Sequence, residues 1–215
     1  MSTATKPATV EIAKPRLFTL PAVVAVNAYG LLLVAPLFIS ILAVSVMTLS
    51  LLTLLIPLLV VAATAYFLPF GLGNTHITRL VRSLHPAAGR SDEGFIVQLT
   101  LSPRLRSGLR AILEDADDIG YLSFSGTGLL FQGDSVRLSV PLDCIAQVQP
   151  QNVGLRGRFV YGRRIKVSVS GSPNLESFEV AERSSLLLPN SRAVTKRLFA
   201  ALTKTYPAAS GTAAR

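Results

Sequence analysis

The stretch of sequence that decides the fold is "YLSFSGTGLLFQGDSVRLSVP", residues 121–141. In its last part, apolar residues at Val136, Leu138 and Val140 alternate with polar ones. Successive side chains of a β-strand point to opposite faces, so this alternation predicts a strand with one buried face. Glycines and an aspartate separate this strand from two earlier apolar runs. The stretch therefore predicts three short strands joined by tight turns.

The flanking sequence continues this pattern. Further apolar runs of period two lie before and after the stretch, namely "FIVQLTL" at 95–101, "CIAQVQP" at 144–150 and "SFEVAE" at 177–182. Short runs bounded by Gly, Pro, Asp or Asn favour an antiparallel sheet or barrel over βαβ units. An insert at residues 102–118 interrupts the series and could form one short helix.

A helix is predicted at the end of this region, over residues 189–206. Its apolar positions recur at helical spacing, at Val194, Leu198, Ala201 and Leu202. This spacing places them on one stripe of a helix, with polar residues on the opposite face. We expect Asn190 or Ser191 to cap the start of the helix.

The order of these elements resembles that of PH-like and GRAM-like domains. The resemblance is carried by "GYLSFSGTGLLFQGDSVRLSVPLDCIAQVQP", residues 120–150, and it covers residues 118–206. It implies a β-barrel closed by the last helix, in a module that binds lipid headgroups or protein segments. The chain is also similar to small bacterial membrane proteins that place such a domain after a two-helix hairpin.

A run without charged residues dominates the N-terminal part. From Leu17 to Thr78 the sequence contains no Asp, Glu, Lys or Arg. A membrane span needs about 20 apolar residues, so the run predicts two transmembrane helices, near 22–46 and 49–70. The predicted fold class is therefore α+β with a membrane part. It combines a transmembrane hairpin with a mostly antiparallel, PH-like β domain that is closed by a C-terminal amphipathic helix.

The flanking charges predict the orientation of the hairpin. Lys and Arg flank both of its ends, and none lies in its turn, so the positive-inside rule places both termini in the cytoplasm. We predict a multi-pass protein of the cell (inner) membrane, integral to the lipid bilayer, with a cytoplasmic β domain. The predicted regions are a disordered basic N-terminus at 1–16, the hairpin at 17–70, a basic connector at 71–94, the β domain at 95–206 and a disordered tail at 207–215.

A basic stretch provides the candidate functional site. In "VGLRGRFVYGRRIKVSVSG", residues 153–171, cations alternate with apolar residues; the cations are Arg156, Arg158, Arg163, Arg164 and Lys166. In an extended chain all of them except Arg163 line one face. Such a face suits anionic lipid headgroups at a cytoplasmic leaflet. The alternatives are a solvated sheet face without a ligand, and nucleic acid, which fits poorly because few aromatic residues are interleaved.

These observations predict a membrane-anchored binding or scaffolding module that contacts anionic lipid headgroups or a protein partner. The alternative is a structural subunit of a larger membrane complex, attached through its hairpin. No acid/base pair, nucleophile motif or phosphate-binding loop stands out, so we expect no enzymatic activity and no cofactor.

Two individual features are assigned structural roles. The single cysteine, Cys144, cannot form an intrachain disulfide and is predicted to be a small buried strand residue. The acidic stretch "EDADDIG" at 114–120 resembles the start of a calcium loop but lacks the closing bidentate Glu. We therefore expect no metal site.

Overall fold

The computed structural model describes five continuous parts of the chain. They are residues 7–19, 72–85, 94–105, 116–151 and 164–206, and individual helical positions between 21 and 63 are described as well. Predictions for the intervening residues, such as the helix in the insert at 106–115 and the tail at 207–215, lie outside the described residues.

The described strands form one antiparallel sheet of eight, which curls into a half-barrel. The strands are β1 Thr9–Ile12, β2 Gly94–Ser102, β3 Asp118–Ser125, β4 Gly128–Gly133, β5 Val136–Pro141, β6 Ile145–Gln151, β7 Arg164–Val169 and β8 Ser177–Glu182. Their order across the sheet is β1-β5-β4-β3-β2-β8-β7-β6. The three strands predicted within residues 121–141 are thus confirmed as β3, β4 and β5.

The main hydrophobic core lies on one face of this sheet. Val136, Leu138 and Val140 are at most 2 % exposed, as their alternation predicts, and they belong to one cluster with Phe131 and Phe178. Fully burying side chains of this size stabilises the fold by about 1.5–3 kcal/mol each. The strands therefore hold together through one shared apolar face.

The described helices include α1 at Leu72–Leu84 and the C-terminal helix α2 at Leu188–Thr205. Helix α2 packs on this core. Leu198 and Leu202 are fully buried in it, which confirms the predicted stripe. The predicted cap is wrong: the helix starts earlier, with Leu187 in the N-cap position and no side-chain cap. A proline in the first turn has its φ fixed for this start and needs no donor there.

Helix α1 packs on the other face of the sheet. Ile77 and Val81, one turn apart, form a second buried cluster with Ile96 and Tyr121 of the sheet and with Phe18. The segment predicted as a basic connector thus contains a helix. The prediction gave weight to glycine and serine content, whereas the spacing of four between the two apolar residues makes one helical stripe.

The N-terminal segment joins the sheet. Thr9–Ile12 pairs with β5, with Val10 opposite Leu138, and the Ala13 N–H donates to the Ser135 carbonyl at 2.7 Å. The prediction of disorder up to Arg16 is therefore wrong for this strand. A strand of four residues gives little signal by itself, and its partner strand lies far away in the chain.

The transmembrane prediction is corrected. Among the described residues no helix is both long enough and apolar enough to span a membrane. The two-span hairpin is therefore wrong, and so are the membrane fold class, the multi-pass inner-membrane placement and the cytoplasmic orientation derived from it. Much of 22–46 and 49–70 lies outside the described residues. The prediction rested on hydropathy alone.

Candidate binding surface on strands β6 to β8

The structure describes two of the five predicted site residues. Arg164 and Lys166 lie on β7, between β6 and β8, whereas Arg156, Arg158 and Arg163 lie outside the described residues. The predicted alternation is found on β7, because the residues on either side of half-buried Lys166 are core residues. Arg164 differs from the expectation of a solvated cation, since it is only 4 % exposed.

A carboxylate on the neighbouring strand accounts for the burial of Arg164. Arg164 Nη1 donates a hydrogen bond to Glu179 Oε2 at 3.1 Å, and the two side chains form a salt bridge. Glu179 is also the cross-strand partner of Lys166. The two cations and this one carboxylate together carry a net charge of +1 (2 − 1). Sequence reasoning missed Glu179 because its position opposite Lys166 depends on the register between two strands.

Strand β6 flanks the same cations with glutamines. Gln149 and Gln151 are the cross-strand partners of Lys166 and Arg164, and Gln147 is that of Ser168. Partners in an antiparallel pair lie on one face with their Cβ atoms about 5 Å apart. The cations thus have amides on one side and a carboxylate on the other. Amide side chains can both donate and accept, so this row can match varied polar groups.

In the described part of the chain, β6 is an edge of the sheet. It pairs with β7, and no other described strand lies along its outer side. Its register shifts between Ile145 and Gln147, and Pro150 lies near its end. Bulges and prolines are common on edge strands, where they limit uncontrolled pairing. From Gln147 onward the pairing with β7 is regular.

This arrangement has the features of a peptide-binding edge. An extended peptide that adds to an edge strand is held by main-chain hydrogen bonds, and its alternate side chains meet one face of the sheet. At β6 that face would present the glutamine row, with Lys166 behind it. The chemistry available is therefore recognition through hydrogen bonds and charge.

The structure also places the two residues with predicted structural roles. Cys144 is 2 % exposed and directly precedes β6, which confirms that it is buried, although it lies in a 3₁₀ turn and not in a strand. Asp117 of the acidic stretch is buried and accepts a hydrogen bond from the Leu101 N–H at 2.7 Å. Within the described ranges, no three His, Cys, Asp or Glu side chains are grouped as a metal site would require.

No protein-family model matches the sequence, and no curated protein matches it at a significant level. The resemblance to PH-like and GRAM-like domains therefore stays a prediction. What the structure itself shows is a curled antiparallel sheet with a C-terminal helix.

Proposed function

We propose that this chain is a non-enzymatic binding module that takes an extended segment of a protein partner along edge strand β6. The observation that carries the proposal is the position of β6, which is an edge of the described sheet and lies directly beside the basic strand β7. The partner's backbone would supply the affinity. Its alternate side chains, facing the glutamine row, would supply the selectivity.

Charge favours an acidic partner segment. The chain carries a formal charge of +9, and a charge of this size attracts and steers acidic partners. Anionic lipid headgroups, the other predicted ligand class, would be attracted by the same positive charge. A strand edge, however, offers donors and acceptors in a line, which suits a peptide backbone better than a headgroup. The structural-subunit alternative relied on the transmembrane hairpin and loses its support with it.

The test uses the full-length chain and a short fluorescent peptide of alternating Glu and Thr as the probe. Fluorescence polarisation measures affinity across a salt series, and hydrogen exchange with mass spectrometry locates the contact. We expect exchange to slow in residues 145–151 when the peptide binds. We also expect affinity to fall as salt rises, because salt screens exposed charges.

A charge-matched pair of variants isolates the contribution of the site. Lys166→Glu reverses the half-buried cation on β7, and Lys196→Glu makes the same change on the exposed side of α2. The proposal requires the first variant to weaken binding much more than the second. Equal weakening, or binding without slower exchange in β6, would contradict it. Binding of anionic vesicles with no peptide effect on β6 would assign the surface to lipid headgroups instead.

A further inference from the structure

The N-terminal strap, residues 9–18, is held on the sheet at one carboxylate. The strap runs along β5 as β1 and then passes the turn between β4 and β5. In that turn, Asp134 Oδ2 accepts three backbone hydrogen bonds, from the N–H groups of Arg16, Leu17 and Phe18 at 2.9, 2.8 and 2.9 Å. The Phe18 side chain is then buried in the cluster under α1. The strap is thus fixed at a defined point.

A second buried carboxylate organises the same turn. Asp118 on β3 accepts hydrogen bonds from the N–H groups of Ser135 and Val136 through Oδ2, at 2.8 and 2.6 Å, and from that of Ile119 through Oδ1 at 2.9 Å. Burial, and to a smaller extent the charge of Asp134, raise the pKa of Asp118 to about 6, against the effect of these three hydrogen bonds. Asp134 Oδ1 is buried and has no hydrogen-bond partner.

We propose that Asp118 and Asp134 form a proton-sensitive clamp on the N-terminal strap, which holds the strap more firmly when the pair carries one proton. Two neighbouring buried carboxylates repel each other when both are charged. A proton on Asp118 removes that repulsion and leaves the Asp134 carboxylate to hold its three N–H groups.

Docking of the strap and protonation of Asp118 favour each other. The docked strap donates its three hydrogen bonds to Asp134, which is 8 % exposed, and Asp118 is 2 % exposed. Detachment would hydrate the pair, and hydration lowers the pKa of a carboxyl that burial has raised. The docked pKa of Asp118 lies above its ordinary value of 3.8. Docking is therefore strongest below the ordinary pKa and weakens as the pH rises through about 6.

Other charged groups near Asp118 and Asp134 do not reverse this dependence of docking on pH. Strands β2 and β4, which flank β3, contain no charged residue. The charged or imidazole groups on the remaining neighbouring elements are Glu11, Lys14 and Arg16 of the strap, Arg137 of β5, Asp117 before β3, and His76, Arg79, Arg82 and His85 of α1 and its end. Burial, and then Arg137, lower the pKa of His85. Of all these groups and Asp134, only Asp134 adds a charge effect to the pKa of Asp118.

Hydrogen exchange of the full-length chain tests the clamp. Protection of residues 13–18, corrected for intrinsic exchange rates, is compared near pH 5 and near pH 7.5. We expect protection to be about ten-fold higher at the lower pH, as linkage predicts for a carboxyl whose pKa falls from about 6 to near its ordinary value on detachment. Asp118→Asn should abolish this pH dependence. Asp143→Asn, at an exposed aspartate of the 3₁₀ turn, should retain it.

Two further variants keep the test decisive. Phe18→Ala weakens the anchor without touching either carboxylate, so protection should fall at every pH while its pH dependence persists. If Asp118→Asn does not give a native circular dichroism spectrum, Asp134→Asn replaces it, with lower protection at every pH and a reduced but persistent pH dependence expected, because burial is the main cause of the raised pKa of Asp118. Equal protection of the native chain at both pH values would overturn the clamp. So would an unchanged pH dependence in folded Asp118→Asn, or an unchanged protection in folded Asp134→Asn.

Discussion

Glu179 Oε2 accepts a hydrogen bond from Arg164 Nη1 at 3.1 Å, and this contact places a buried guanidinium beside edge strand β6. The side chains are 22 % and 5 % exposed, respectively, so water screens the pair only in part. A guanidinium buried to this extent is stabilised by a charged partner, and removing the carboxylate takes away part of the compensation of its charge.

Glu179→Gln should therefore destabilise the fold. Breaking a buried pair costs about 3–5 kcal/mol, and the partial exposure of Glu179 places the expected loss near the lower limit, about 3 kcal/mol. Urea unfolding followed by circular dichroism measures it. The control is Glu176→Gln at an exposed position just before β8, where we expect a change within about 0.5 kcal/mol. Coincident unfolding midpoints for the two variants would contradict the structural role of the pair.

Asp118 should make stability depend on pH with an unusual sign for a carboxylate. Its pKa is raised from 3.8 to about 6, so the folded state binds more protons than the unfolded state between these values. Stability should therefore rise as the pH falls from about 7 to about 4, by up to about 3 kcal/mol from this group at about 1.4 kcal/mol per pKa unit.

Urea midpoints across this pH range measure the effect. Asp118→Asn should remove this contribution to the slope, whatever the variant's stability at neutral pH. Asp143→Asn, at the exposed aspartate, serves as the control and should preserve the slope. If the slope of Asp118→Asn equalled that of the native chain, the assignment to this residue would be wrong.

Gly120 lies where β3 and β4 approach closely. A Cβ at this position would overlap the backbone of Gln132 and Gly133, and backbone atoms cannot rotate away as a side chain can. Gly120→Ala should therefore cost about 1–3 kcal/mol through overpacking. Gly126→Ala is the matched control, because a Cβ there would meet nothing within 4 Å. Thermal unfolding of both variants checks the prediction, and a smaller loss at Gly120 than at Gly126 would refute it.

Phe178 connects β8 to the main core and is fully buried. Phe178→Ala should destabilise the fold by about 3–5 kcal/mol, since it removes a large apolar side chain and leaves a cavity. Leu142→Ala, at a position 43 % exposed, should cost far less. Denaturant unfolding distinguishes them, and similar losses for the two variants would show that Phe178 does not belong to a tightly packed core.

The local pattern predicted the strands well because apolar, buried side chains recur at every second residue of a strand. The residues 177–182 form β8 as expected, and the alternation of Val136, Leu138 and Val140 gives β5. Leu198 and Leu202 likewise mark the buried stripe of α2. In each case the sequence carries the signal within a few neighbouring positions.

Features that depend on distant pairing were missed. Glu179 neutralises part of the basic stretch only because β7 and β8 are in a particular register, and β1 is a strand only because β5 lies beside it. The transmembrane prediction rested on the hydropathy of 22–46 and 49–70, and among the described residues no helix is long and apolar enough to span a membrane. For the candidate site, the sequence identified the cations but not the edge strand beside them.

The attachment of the strap to Asp134 has a consequence for synthesis of the chain. Arg16 emerges from the ribosome 118 residues before its acceptor. At about 5–20 residues per second, roughly 6 to 24 s separate the two, and for that time β1 has no partner strand. Closing so long a loop is slow compared with forming the local hairpins of β3, β4 and β5. The strap is therefore synthesised before β5 but takes its place in the sheet only after β5 has formed.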